Sequence, residues 1–574
     1  MIITAEITKV IAEALKNLGV KRPQVMLEHP TDLSHGDYST NVALVYAKKL
    51  NLSPLEVARA IVAAFNQQKL SGLERVEIAG FGFINFYLSA SFFAQEIEKI
   101  IVQGDQYGTN DNLKNQKVIV EYTDPNLFKE FHIGHLVPNI IGESISRLVE
   151  YQGATVRRFC YHGDVGLHVA KAIWGIKSKS LEFWKVKFLG SDQQKAKFLG
   201  RVYAHAAKLY ESDEVVKQQI ISLNKEIYTR SNSKINYYYD TGWKWSLKYL
   251  ESIYKTLGTT FDALFFESKT ANVGLELVHE FLAKGLFKES DGAVVFPGED
   301  YDLHTRVFIN SNGLPTYETK ELGLAKLKYE EFPYDRSIIV VANEQSSYFQ
   351  VLLKVIDLVF PHLAGRTTHI PNGLLRLPSG KMSSRTGDVI AALSVINDVK
   401  QLIIPKIKND SIGLNKKETL ATSIAIGAIK FSILRQAAGK DIIFDFDKSL
   451  SFEGDSGPYL QYSYTRAKSL LEKAATVNLK SDSTTKTDKE VILLEKLLYR
   501  FPEIVARAGQ EYAPHYVVTY LLELSSSFNS FYAGAKIIDL EDPESSYRLA
   551  LTESFATVMK NGLYLLGIES PEKM

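Results

Sequence analysis

Residues 118–153 read VIVEYTDPNLFKEFHIGHLVPNIIGESISRLVEYQG, and this stretch decides the fold. It opens with Val118, Ile119 and Val120, a β-branched run of the kind buried on both faces of a parallel sheet. A polar loop containing Pro125 follows. Leu136, Ile140, Ile141, Ile145, Leu148 and Val149 then recur at helical spacing. Pro138 is expected in the first helical turn, where a missing N–H costs little, and Gly153 is expected to end the helix. His132, Gly134 and His135 therefore fall where a strand hands over to a helix N-terminus. Unpaired N–H groups and the positive end of the helix dipole are expected there, an environment suited to phosphate. Two imidazoles can donate to phosphate oxygens, and a glycine lets a flat base approach the backbone. Taken alone, a pair of loop histidines need hold no ligand.

Working outward, a length of 574 residues allows about three or four domains of ordinary size. Hydrophobic residues at 45% and charged ones at 23% are the profile of a soluble globular protein. The net charge of +1 announces no basic field, although it is silent about local grooves. Cys160 is the only cysteine, which excludes an intramolecular disulfide and a multi-cysteine zinc site and fits a reducing cytosol. No apolar run is long enough to span a bilayer. The amphipathic N-terminus carries Glu6 and Glu13, unlike a secretory or transit leader, so the expected location is cytoplasmic.

Residues 1–110 read as an α+β unit, with helices over 2–19 and 41–69 and a strand in VEIAGFGFINFYLS. Gly80 and Gly82 lack the third glycine of a dinucleotide fingerprint. An exposed Phe83 and Asn85 on that strand would suit an unpaired base; the alternative for Phe83 is core. Over 111–390, strands alternate with helices, the pattern of an open parallel sheet with strands at 118–120, 156–159 and 338–343. A helical, Lys-rich and aromatic insertion is expected over about 175–300. The stretch 373–388, GLLRLPSGKMSSRTGD, reads as a loop; Met382 after Lys381 rules out a Walker motif. A lysine on such a loop can close over a triphosphate. Residues 391–574 read as wholly helical, with Tyr459, Tyr462 and Arg466 on one helix able to stack on splayed bases; ordinary packing is the alternative.

The order of these pieces carries more than any one of them. HIGH at a strand-to-helix junction, KMSS far downstream and a helical C-terminal third together resemble the class I aminoacyl-tRNA synthetases. VEYTDPNLFKEFHIGHL, LPTYETKELGLAKLKY, VVANEQSSYFQ, GDSGPYLQYSYTRA and NGLYLLGIESPEKM resemble blocks of the arginyl-tRNA synthetase family. HGDYSTNVA with GFGFINFYL resembles that family's additional N-terminal domain. The resemblance implies a Rossmann-like catalytic domain with a helical insertion, an N-terminal α+β domain and a C-terminal helical bundle.

It also implies a reaction in two steps. The arginine carboxylate attacks the α-phosphate of ATP, and the terminal adenosine of tRNA(Arg) then takes the arginyl group. His132 and His135 would contact phosphates and Gly134 would leave room for adenine. Lys381 and Ser383 would close on the triphosphate, with Mg²⁺ carried by ATP and neither zinc nor another protein-held metal. Ser384 stands where related loops carry a second lysine, and Lys129, three residues before His132, would compensate; Arg385 is the competitor. Glu121, Tyr317 and Glu321 would hold the guanidinium, Glu321 standing where the family has aspartate. Asn126 and Gln345 would take the α-amino end. Tyr459, Tyr462, Arg466 and Met574 would meet the anticodon, and Phe83 and Asn85 the tRNA elbow. A monomer is expected. The rival readings are a tRNA-binding paralogue that no longer charges, another class I synthetase, and a nucleotidyltransferase.

Overall fold

The computed structural model describes residues 2–376, 390–407, 413–486 and 490–574. Its centre is a five-stranded, fully parallel sheet: β1 (Lys117–Tyr122), β2 (Thr155–His162), β3 (Ala263–Phe266), β4 (Arg336–Ala342) and β5 (Thr367–Asn372). The spatial order is β5-β4-β1-β2-β3. Val118, Ile119 and Val120 are wholly buried, as a central parallel strand covered on both faces requires. The chain starts in the middle of the sheet, runs out to β3, then returns to the other side of β1. That reversal between β1 and β4 opens a crevice at their carboxyl ends, where ligands bind in open α/β sheets.

The helix after β1 spans Ile133–Tyr151, with Gly153 just beyond it in the left-handed region. Pro138 is not in its first turn but one turn further in, so the Gly134 carbonyl receives no i+4 bond. The insertion also differs from expectation. Helices run from Leu167 to Leu257, but β3 then returns the chain to the main sheet inside the span expected to be helical. After the helix Glu267–Ala283, a small antiparallel sheet (Lys288–Ser290, Ala293–Phe296, Arg306–Ile309) completes the excursion. A four-residue strand such as ALFF carries too little periodicity to be read against helical surroundings.

In the N-terminal unit, residues 41–69 form two helices, Val42–Leu50 and Pro54–Gln67. Asn51 turns left-handed, and Ser53 with Glu56 makes a capping box that starts the second helix. The expected single strand is a hairpin, Leu73–Ala79 and Phe83–Leu88, turned by Gly80-Phe81-Gly82. The C-terminal region, expected to be wholly helical, is helical except for a two-residue strand, Ile442–Ile443, paired in parallel with Leu375–Arg376, too short to show a period in sequence; it shares one hydrophobic core with the sheet domain. At that junction Arg147, on the helix after β1, donates to Tyr564 O (2.8 Å) and Gly258 O (3.3 Å). Lys430 donates to Leu257 O (2.6 Å) and Gly567 O. Both side chains thus sit at the negative ends of two helices from different regions, although burial and Arg147 lower Lys430 to about pKa 7. Among the described residues no helix is long and apolar enough to cross a membrane.

Candidate active site

The loop leaving β1 is built under strain. Thr123 (φ 85°), Asp124 (φ 41°) and Phe128 (φ 63°) are left-handed, and for a β-branched threonine this costs about 1–3 kcal/mol. Surrounding bonds over-determine the shape. Asn139 Nδ2 donates to Thr123 Oγ1 (3.0 Å), Thr259 Oγ1 donates to Asn139 Oδ1 (3.0 Å), and Asp124 Oδ1 accepts from Tyr161 N (2.8 Å). Asn126 is turned against Gly163, where any Cβ would lie 2.2 Å from its Oδ1.

The loop delivers the two histidines to the helix start. His132 is the N-cap: its Nδ1 accepts from Gly134 N (3.1 Å), and His135 Nδ1 accepts from His132 N (3.4 Å). These bonds assign the protons of both rings to Nε2. The rings stack with centroids 3.7 Å apart. Burial, with Lys129 nearby, lowers His132 to about pKa 4; burial, His132 and Lys129 hold His135 well below the usual histidine value. Both are neutral near pH 7. The backbone differs from expectation: the first N–H groups are already engaged. Ile133 N donates to Ile390 O (3.1 Å), Gly134 N to the His132 ring, and His135 N to His132 O (2.9 Å). The donors left for an anion are the Nε2–H groups.

The opposite end is charged. On the helix Tyr317–Glu331, Tyr317, Glu321 and Lys328 share one face. Lys328 Nζ lies 2.8 Å from Glu121 Oε2 and Lys320 Nζ lies 2.6 Å from Glu267 Oε2, with all four side chains buried. Glu121, expected with Tyr317 and Glu321 to hold a guanidinium, therefore already faces a cation. Asp124 and Glu321 have no such partner among the described residues. Burial first, and Glu121 second, push both carboxyls well above the usual range. Asp124, Glu267, Lys320 and Lys328 were not singled out from sequence. Only the helical spacing 317, 321, 328 would have flagged Lys328.

Both ends open into one cavity of about 580 Å³, within the usual range for small-molecule sites. Glu121, Asn126, His132, Gly134, His135, Tyr317, Glu321 and Gln345 line it together. It occupies the crevice between β1 and β4. Lys129 is not in its wall; its Nζ lies 4.6 Å from the Tyr203 ring centroid. Lys381 and Ser383, with Ser384 and Arg385, lie outside the described residues. The residues on either side of that segment touch the site: Leu374, Leu375 and Arg376 line the cavity, and Ala392 N donates to Phe131 O (2.9 Å).

The residues expected to meet nucleic acid divide. Phe83 is exposed, but Asn85 is buried and its Oδ1 accepts from Ser39 Oγ (2.8 Å), so it is not presented to a base. Phe81, at the hairpin tip and 86% exposed, was missed. Arg466 is sandwiched between Tyr462 (4.9 Å) and Tyr532 (4.8 Å), both partly exposed. Tyr459 is turned inward, its hydroxyl accepting from Asn529 Nδ2 (3.0 Å), and Met574 packs against the helical core.

Comparison with known proteins gives this arrangement a family. The family model "tRNA synthetases class I (R), catalytic domain" matches residues 96–446. The chain belongs to the arginyl-tRNA synthetases. The arginyl-tRNA synthetase N-terminal domain matches residues 5–88 and the DALR anticodon binding domain residues 460–574. The arginine–tRNA ligase of Clostridium acetobutylicum is 31% identical, and that of Halothermothrix orenii 30%, over 99% of each chain. The solved Thermus thermophilus arginyl-tRNA synthetase has the same fold, with a TM-score of 0.78 at 24% identity over 99% of this chain and 100% of that one. As an arginyl-tRNA synthetase the chain is a class I arginine–tRNA ligase, with ATP as a substrate. The non-charging paralogue, another class I synthetase and a nucleotidyltransferase are not favoured by these matches.

Proposed function

We propose that the two ends of the cavity divide the first step of arginyl-tRNA formation. Arginine lies with its guanidinium against Glu121, Glu321 and Tyr317, since planar bidentate donors are best held by carboxylates. Its α-amino group meets Asn126 and Gln345. ATP lies with its adenine over Gly134 and its phosphates on the Nε2–H groups of His132 and His135. The carboxylate then attacks the α-phosphate in line, and catalysis is mostly positioning and charge stabilisation. Lys381, with Ser383, neutralises the departing pyrophosphate, Lys129 adds charge in place of Ser384, and Mg²⁺ arrives with ATP. The observation that carries this reading is one cavity walled by eight expected residues drawn from both sides of the sheet's reversal.

The tRNA(Arg) partner would reach the Tyr462–Arg466–Tyr532 stack with its anticodon arm and Phe83 with its elbow. Tyr459 and Met574 support that surface from within, and Asn85 braces the strand carrying Phe83. The protein is read as a cytoplasmic monomer, which sedimentation and fractionation test. Arginine-dependent ATP–pyrophosphate exchange, run with and without tRNA(Arg), tests the chemistry. Exchange driven by lysine or glutamine instead of arginine would refute the guanidinium site.

A further inference from the structure

Lys328 occupies a place that the reaction as described does not use. It lies behind Glu121, off the cavity wall, with 4% of its side chain exposed, and its Nζ is 2.8 Å from Glu121 Oε2. Glu121 itself lines the cavity, so one carboxylate oxygen faces a buried cation from behind, an ion pair without hydrogen-bond geometry at that oxygen. We propose that Lys328 is a positioning and specificity-determining residue for arginine: it holds the Glu121 carboxylate in place before the guanidinium arrives. This rests on reading the cavity as the arginine site.

The argument is electrostatic and geometric. Glu121 is surrounded by groups from every element packed on it. Lys328 and Glu321 come from the helix Tyr317–Glu331, Tyr334 from the segment after it, Asp124 from the loop after β1, and Cys160 from β2. Lys328 is the one cation in that set. Burial alone would drive its ammonium towards neutrality, but Glu121, Tyr334 and Glu321 outweigh burial and leave its pKa above the ordinary lysine value. It therefore stays charged across the working pH range. Removing that charge leaves three adjacent carboxyls in a partly dry site, and such a cluster holds protons rather than ionise fully. A protonated or swivelled Glu121 offers a guanidinium fewer acceptors in bidentate geometry.

The test is steady-state charging of tRNA(Arg) by the full-length enzyme between pH 6.5 and 8.5, with arginine varied. Wild type, K328M, K328R, E121Q and the E121Q/K328M pair are compared. K328M is expected to raise the arginine KM about 30- to 100-fold at neutral pH, the size of losing one close, buried charged partner. Its kcat stays within about threefold and the KM for ATP is unchanged, since nothing at the phosphate end is altered. The arginine KM of K328M climbs further as pH falls, while that of wild type changes little. K328R restores the KM to within a few-fold of wild type. The pair is no worse than E121Q alone, because Lys328 acts through Glu121. If K328M is insoluble, the pair, which buries no unpaired charge, still supplies the comparison with E121Q.

Three results would overturn the inference. One is an arginine KM raised by E121Q but untouched by K328M. Another is a K328M defect in kcat with no pH-dependent change in KM, as a merely structural ion pair would give. The last is additive penalties in the pair. An unchanged arginine KM in E121Q would instead bring down the reading of the cavity, and the inference with it.

Discussion

The histidine end and the acidic end of the cavity, proposed to take phosphate and guanidinium, solve opposite problems by opposite means. The first must receive a highly charged ligand, yet it offers two neutral imidazoles and a backbone whose N–H groups are already taken. The second must receive one cation, and it holds four carboxyls against two buried lysines, leaving two carboxyls in excess. Acidic groups are built in where the ligand's charge does not change during reaction, and burial holds the two unpaired ones well above the usual carboxylate range while the site is empty. Where charge moves, at the α-phosphate, the resident groups are neutral donors and the cations are left to long, adaptable side chains.

The largest effect that would sharpen this contrast is on the histidines. His135→Ala should lower kcat by about 10²–10³-fold with the arginine KM nearly unchanged. Because both rings are held neutral, with His132 near pKa 4, kcat in wild type should show no histidine inflection between pH 6 and 8. An inflection near 6.5 that vanishes in His132→Gln would break the picture. Next in size, Lys129→Ala should slow adenylate formation about 10²-fold, and Arg385→Ala much less; pre-steady-state pyrophosphate release reads both. A reversed order would move the compensating charge to Arg385.

At the other end, Glu321→Gln should raise the arginine KM about 30-fold or more. It should also stabilise the empty protein, and the sign follows from linkage. A carboxyl whose folded pKa is raised contributes stability that is full below the unfolded pKa, near 4.5, and is lost as pH rises towards the folded value. Thermal melts should show the Gln variant gaining on wild type from pH 5 to pH 8. A constant difference across that range would deny that Glu321 is strained in the empty site. The smallest effect belongs to the surface: Tyr532→Ala should raise the KM for tRNA(Arg) about fivefold, the size of one exposed cation–π contact, with no change for arginine or ATP.

The same two ends differ in how far they could be read in advance. The histidine junction was legible because its chemistry is local: strand, loop, cap and helix follow one another within a single stretch. What escaped there was the fate of the backbone N–H groups, since Ile390 reaches Ile133 across the fold. The acidic end was legible only in part. Glu121, Tyr317 and Glu321 came from a resemblance, whereas Lys328 matters through a partner two hundred residues away in sequence that periodicity does not announce. Asn85 shows the converse limit: strand alternation puts it on the same side as Phe83, but Ser39 on a neighbouring strand accounts for its side chain. The strand Ala263–Phe266 was lost for want of length.

The reversal of strand order has one more consequence. Half the walls of the cavity come from the chain before residue 164 and half from the chain after residue 266, and the two halves meet only when the returning strand docks beside the first. A partly synthesised polypeptide that has laid down the early strands owns two histidines and two acids but only half of the wall that would seat a substrate. Competence for chemistry thus reports that the returning strands have docked, and a product cut short before β4 lacks much of the cavity wall.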